Sequence, residues 1–310
     1  MIYHIYANRS NIGDWLSARG IQKLLAPLPI IECLCDEPFV EETLQSLSKA
    51  SAKDIIIIGG GGLLMDYFIP FWEAFKPVAD RVPFCIWGIG YCDLKNEHSL
   101  PPGNFVADII NKSKLCVVRD ELTRSYLPNC ALPAPVPCPS INVIEPVTIN
   151  GNDILHVDNY TTAGEAAYEV MCVAGKKFAM DNKVAYRQTN NRISKDSEKQ
   201  MEDILSLYKK SGYVLSSALH GCIIGVTMGL KVLAVSGNRK IEGFMESVGL
   251  QDWVLNINET EKLPGLLNKI HLQYHPKPML EKIRKQNQQV AADINKLIAT
   301  VSEIVVIKYK

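Results

Sequence analysis

The chain has no surplus of charge of either sign: across 310 residues, 33 Lys and Arg balance 33 Asp and Glu. A nucleic-acid protein should carry a basic excess or stripe, so that class is excluded. No apolar run approaches the ~20 residues of a membrane span. The opening MIYHIYANRSNIGD has no basic segment followed by an apolar one, so no secretory leader is expected and the chain reads as soluble and cytoplasmic. The nine cysteines are odd in number and contain no C-x-x-C pair. Cys33 and Cys35 are too close for zinc ligands, so reduced thiols and no metal are expected. No G-x-x-x-x-G-K-[ST] occurs, which excludes an ATP P-loop. No complete G-x-G-x-x-G occurs either: Leu64 or Met65 stands where the third glycine belongs, and GIGYCD ends in Asp93, so an NAD site is not expected. A D-x-D triplet, an internal repeat and low-complexity tracts are also missing.

What is present is an alternation. MIYHIYA, IIECL, DIIIIGG, PFCIWGIG and KLCVVRD read as strands, with helical patterns between them. DIIIIGG is a short, continuous β-branched run, as expected of a parallel strand covered on both faces. Prolines at 133, 135, 137 and 139 then interrupt the pattern with a stretch that can form neither helix nor central strand. A second alternation follows: DILHVDNY, KVAYRQT, YVLSSAL, KVLAVSG and WVLNI as strands, with SKDSEKQMEDILSLYKKSG as a helix ending at Gly212. Strands alternating with helices imply doubly wound α/β sheets. The expectation is two Rossmann-like domains facing a cleft, 1–145 and 146–275, with a helical segment, 276–310, that packs back across them.

Ligands of open α/β sheets bind outside the carboxyl ends of strands. Several turns there carry suitable groups. Gly59 to Gly62 follow an apolar strand and offer bare backbone N–H groups to an anion, or room for a neighbouring backbone. NIGD (Asn11 to Asp14) follows the first strand, and Asp14 is also a candidate helix cap. Arg119 and Asp120 end another strand, where Asp120 suits an N-cap and Arg119 its charge partner. In LSSALHGCIIGVTMGLKVLAVSGNRK a strand ends at Ser216 and Ser217, His220 stands at the turn, Gly221 opens an apolar helix, and Lys240 follows the next strand. A histidine at that junction is a candidate site residue. Cys222 is expected to face the packed side of its helix, His271 and His275 the surface.

NIGD, IIIIGGGGLLMD, GIG, VRDELT and SSALHGCIIGVTMGLKVLAVSGNRK occur in the order found in the polysaccharide pyruvyl transferase family, which the chain resembles over about residues 8 to 250. The resemblance implies a glycosyltransferase-B-like enzyme that moves pyruvate from phosphoenolpyruvate onto two sugar hydroxyls, forming a cyclic ketal on a surface polysaccharide or its precursor. No cofactor is implied beyond phosphoenolpyruvate as donor. The partners are a small-molecule donor and a sugar or lipid-linked saccharide acceptor, and the latter is compatible with peripheral membrane association of the basic face KPMLEKIRKQ. By resemblance His220 and Asp66 are catalytic. Asn11, Gly13, Asp14, Gly60, Gly61, Gly62, Arg119, Ser217, Gly221 and Lys240 bind substrate.

Two departures weaken the donor assignment. The family pattern has Arg where this chain has Ala218, two residues before His220, and Asp-Pro where this chain has Cys138-Pro139. Arg119, Arg187, Arg239 or Lys240 are candidates to replace the missing guanidinium. Two other readings remain open at this point. One is a nucleotide-sugar glycosyltransferase that binds a diphosphate at the His220–Gly221 turn, with Glu242 or Glu246 on the ribose. The other is a ligand-binding protein without catalysis.

Overall fold

The computed structural model describes residues 1–95, 103–148, 151–159, 164–194 and 197–307, with side chains to residue 301. The expected strand end at Tyr160 and the helix start at Lys195 and Asp196 lie outside these residues. Strand β1 (Ile2–Tyr6) is buried along its length. It is followed by α1 (Ile12–Leu25), which Asn11 caps by accepting the Gly13 amide at 3.0 Å. The first sheet continues with β2 (Ile30–Leu34), β3 (Ile55–Ile58), β4 (Phe84–Trp87) and β5 (Leu115–Val117). Helices α2 (Val40–Ser48), α3 (Ile69–Ala79), α4 (Asn104–Ile110) and α5 (Glu121–Ser125) accompany it. All pairings are parallel and the order is β2-β1-β3-β4-β5. The four isoleucines of β3 are buried because this strand lies between β1 and β4, with side chains packed on both faces.

The second sheet repeats the plan. It holds β6 (Asp153–Val157), β7 (Tyr186–Thr189), β8 (Ser211–Ser216), β9 (Lys231–Ser236) and β10 (Val254–Asn256) in the order β10-β9-β8-β6-β7, again all parallel. Its helices are α6 (Glu165–Asn182), α7 (Glu198–Lys209), α8 (Leu219–Met228), α9 (Arg239–Ser247) and α10 (Leu263–Leu267). Gly212 does not close α7, as the sequence suggested. The helix stops at Lys209, and Gly212 sits in β8, where a Cβ would come within 2.8 Å of the Gly151 carbonyl at a register shift.

The closing helix α11 (Lys277–Ile307) lies against the first sheet's side of the molecule. Val290, Ala291 and Ile294 join Ile21, Leu25 and Trp87 in one apolar cluster. In the middle of this contact, Asn287 accepts the Trp87 indole N–H at 3.1 Å and donates to the Pro137 carbonyl at 3.0 Å. One buried amide thus ties α11 to β4 and to the proline-rich connection. Asn287→Ala leaves both partners unpaired, so urea unfolding should report a loss of about 1–3 kcal/mol. An unchanged midpoint would mean that α11 is not fastened there.

Candidate active site

In a sheet of order 2-1-3-4-5, the crevice lies where consecutive connections leave in opposite directions, outside the carboxyl ends of the first and third strands. Here there are two such points, β1/β3 and β6/β8, and they face one another. Two sets of backbone contacts hold them so. On one side the Ile12 amide donates to Asn191 O at 3.1 Å and the Ile193 amide to Ser10 O at 2.7 Å. On the other, the Arg239 amide donates to Asp93 O at 3.1 Å and the Lys95 amide to Gly237 O at 3.0 Å, beside a Lys95–Glu242 ion pair. Between them lies a cavity of about 80 Å³. Asn11 and Asp14 line it from the turn after β1, Gly62 after β3 and Arg119 after β5. From the other domain come Asn159 after β6, Asn190 to Arg192 after β7, Ala218 to His220 after β8, and Lys240 after β9.

His220 occupies the first turn of α8, and its ring lies against Gly13 of the opposite domain. A Cβ on Gly13 would stand 2.0 Å from His220 Nδ1 and 2.2 Å from Cγ, so only glycine admits the imidazole. Gly13 therefore serves the site by its missing side chain. Burial, with Arg119 and Lys240 nearby, lowers the His220 pKa to about 3, so the ring is neutral near pH 7. Asp14, in the first turn of α1, moves the opposite way. Burial raises its pKa to about 6 against the opposing pull of Lys240, Arg119 and Arg192. Its side chain does not cap α1, since Asn11 does. Gly60 and Gly61 leave room behind it: both have positive φ, 95° and 111°, and a Cβ on Gly61 would come within 3.0 Å of Asp14 Oδ1.

Three cations share this cavity. Arg119 is 6 % exposed. Its Nε pairs with Asp120 at 3.2 Å and its Nη2 donates to Tyr91 O at 3.1 Å, which fixes the guanidinium plane. Asp120 also caps α5 by accepting the Thr123 amide at 2.7 Å, as its position suggested. Lys240 Nζ stands 3.0 Å from Cys92 Sγ. Arg192 lies at the exposed rim. The sequence reading did not name it, although the signal was there: it follows β7 at the carboxyl edge, in NNR. It stands in the same cavity as Ala218, where the family pattern carries its arginine. Arg187 and Arg239 do not line the cavity; they pair with Asp153 at 2.8 Å and Asp93 at 3.1 Å.

Other expected site residues fall elsewhere. Asp66 is exposed at the start of a 3₁₀ turn (Asp66–Phe68), and among the described residues its side chain accepts its neighbour's amide, Tyr67 N, at 2.9 Å. The LLM segment between the glycines and Asp66 is what carries it away, because Leu63 and Leu64 turn into the core. The carboxylate in the cavity is Asp14. Ser217 is buried behind the wall and accepts the Asn159 amide at 2.8 Å. Gly221 is a packing glycine, where a Cβ would meet Ser216 Oγ at 2.1 Å. Cys222 is in the core, its thiol pushed up to about 12 by burial. Glu242 and Glu246 border a separate cavity of about 550 Å³ beside α9 and α11. All nine cysteines are free thiols, and among the described residues there is no cluster with metal-ligand character. No helix among them is long and apolar enough to cross a membrane.

Comparison with known proteins places this geometry. The family model described as polysaccharide pyruvyl transferase matches residues 4–239. No curated protein matches the chain. Among solved structures, the MnaA–UDP co-structure from S. aureus is similar at a TM-score of 0.56 and 10% identity, covering 89% of this chain and 90% of that one. The UDP-GlcNAc 2-epimerase from Methanocaldococcus jannaschii, in complex with UDP-GlcNAc and UDP, gives 0.55 at 9% identity over 95% and 99%. The UDP-GlcNAc 2-epimerase from Neisseria meningitidis bound to UDP-GlcNAc gives 0.54 at 11% identity over 94% and 98%. At such identities the likeness concerns the fold, which is the two-domain, glycosyltransferase-B-like architecture expected from the sequence.

The titration of the buried groups sets the pH dependence of stability. His220 is lowered to about 3, and His4 and His156, both buried, to about 4. Below about 6.5 the unfolded chain protonates these rings while the native one does not. Stability therefore falls as pH drops from about 6.5 towards 4. Asp14 and Asp158, both raised by burial, act the other way, because the native state binds their protons first, but they are two groups against three. The urea midpoint should decline steadily from pH 6.5 to 4.5; a flat or rising midpoint would mean that the imidazoles are not held neutral.

Proposed function

The chain belongs to the polysaccharide pyruvyl transferase family, and from that premise we propose that it transfers the pyruvyl group of phosphoenolpyruvate to two hydroxyls of a saccharide. One observation carries this reading: three cations, Arg119, Arg192 and Lys240, converge on a cavity that also holds a carboxyl with raised pKa and an imidazole with lowered pKa. Phosphoenolpyruvate brings about three negative charges, one from its carboxylate and about two from its phosphate. With Asp14 protonated and His220 neutral, Arg192, Lys240 and the Asp120-paired Arg119 leave the cavity with a net positive charge toward them. Arg119 and Arg192 suit forked contacts to carboxylate or phosphate, and Lys240 a point contact.

The displaced pKa values divide the labour. Asp14, as a carboxylic acid, delivers its proton to C3 of the donor, and the carboxylate so formed faces the cationic C2. A sugar hydroxyl attacks C2 and gives its proton to His220. The C2–O bond to phosphate then breaks, and a second hydroxyl closes the ring on C2. Two hydroxyl protons leave the acceptor: one balances that taken up by C3, the other departs with inorganic phosphate. This assigns to Asp14 the role that the resemblance gave to Asp66. Gly62, Asn11, Asn159 and Asn190 line the remaining wall, a polar lining of the kind acceptor hydroxyls need.

Phosphate release from phosphoenolpyruvate, with methyl β-galactopyranoside and methyl β-mannopyranoside as probe acceptors, tests the assignment. Asp14→Asn and His220→Ala should each lower the rate by about 10²–10⁴-fold, whereas Asp66→Asn should keep it within about twofold. Since the free site holds Asp14 at about 6, kcat/KM should fall about tenfold per pH unit above that value. Loss of activity in Asp66→Asn with activity retained in Asp14→Asn would refute the scheme.

A further inference from the structure

The imidazole of His220 has a second contact, on the side of Nε2. Cys138 Sγ lies 3.5 Å away, at the head of the short helix Pro139–Asn142 in the proline-rich connection. The thiol is buried, 4 % exposed, and so are its other partners. Its S–H donates to Ser17 Oγ at 3.4 Å, and Ser140 Oγ donates to the sulfur at 3.1 Å. With its single proton directed to Ser17, the sulfur meets every other neighbour as an acceptor. Nε2 is then the donor of the remaining contact and carries the ring proton. Nδ1, which lies against bare Gly13 and has no hydrogen bond among the described residues, keeps its lone pair.

We propose that Cys138 is the positioning residue of His220: it holds the ring proton on Nε2, so that the lone pair available to accept an acceptor hydroxyl's proton is the one on Nδ1. The inference rests on the reading of His220 as the base. A thiol suits this place because sulfur is a weak acceptor. It selects a tautomer without drawing the ring into the charged form, as a carboxylate at the same position would. The charged groups around the ring support the same state. Arg119 and Lys240 disfavour a second proton, Arg192 at the rim adds to them, and Asp14 is the sole acidic group lining the cavity. Ser17 from α1 and Ser140 from the connection fix the thiol's orientation, so the tautomer depends on three segments meeting at one sulfur.

The test is nitrogen NMR of protein labelled at histidine, without substrate, with His220 assigned by its loss in His220→Gln. The wild-type spectrum should show a protonated Nε2 and an unprotonated Nδ1. Cys138→Ala should mix or exchange the two nitrogen types, and Cys138→Ser, which keeps an acceptor, should preserve the wild-type pattern. Cys138→Asp should raise the His220 titration midpoint by about one to three pH units. A wild-type proton on Nδ1, or a pattern that Cys138→Ala leaves untouched, overturns the proposal. Because these spectra are read on the free protein, they are independent of whether pyruvyl transfer is the reaction; the activity of His220→Ala decides that separately.

Discussion

The imidazole of His220 rests on the bare Cα of Gly13, and the cleft is organised around that approach of one domain to the other. It requires α1 to begin where it does, with Asn11 capping the helix so that Gly13 rather than a larger residue faces the ring. It also requires α8 to start immediately after β8, at the carboxyl edge of the second sheet. The backbone contacts at Ile12–Asn191 and Arg239–Asp93 fix the two edges at this distance. Once the domains are so placed, the turns after seven strands supply the wall of the cavity without any dedicated loop.

Charge and burial then set the protonation states. Two cations beside His220 and the loss of water around it keep the ring neutral, while the same loss of water holds a proton on Asp14 longer than a free carboxyl would. The usual order of a carboxyl and an imidazole is reversed. An anionic ligand would reinforce the carboxylic acid form of Asp14 and compensate the three cations together. The site is therefore better matched to a small polyanion than to a neutral sugar alone, and the 80 Å³ cavity is compact.

Both sheets were legible in the sequence because apolar runs such as Ile55–Ile58 and Val232–Val235 fill strands buried on both faces, and some of the intervening helices open on side-chain caps such as Asn11, Asp120 and Asn238. The turns after β1, β5, β8 and β9 were legible too, since Asn11, Asp14, Arg119, His220 and Lys240 stand immediately past apolar strands. That Asp66 stands outside the cavity was not legible, because spacing along the chain does not record that Leu63 and Leu64 dive into the core. Arg192 was passed over because its place past the end of β7 matters only once β7 lies beside β6 in the second sheet, which NNR alone does not record. The glycines told only half their story: Gly61 makes room for the carboxylate of Asp14 and Gly60 for the backbone of α1, partners distant in sequence, and of the four only Gly62 borders the cavity.

The central claim is that this cleft is built for phosphoenolpyruvate, and the most direct measurement is thermal unfolding of the wild-type protein with that ligand and, separately, with UDP-GlcNAc. At a hundredfold excess over its Kd, a ligand bound only by the native state stabilises it by about 2.7 kcal/mol, a readily visible shift. The account predicts this shift with phosphoenolpyruvate and none with UDP-GlcNAc. A shift with the nucleotide sugar and none with phosphoenolpyruvate would contradict it.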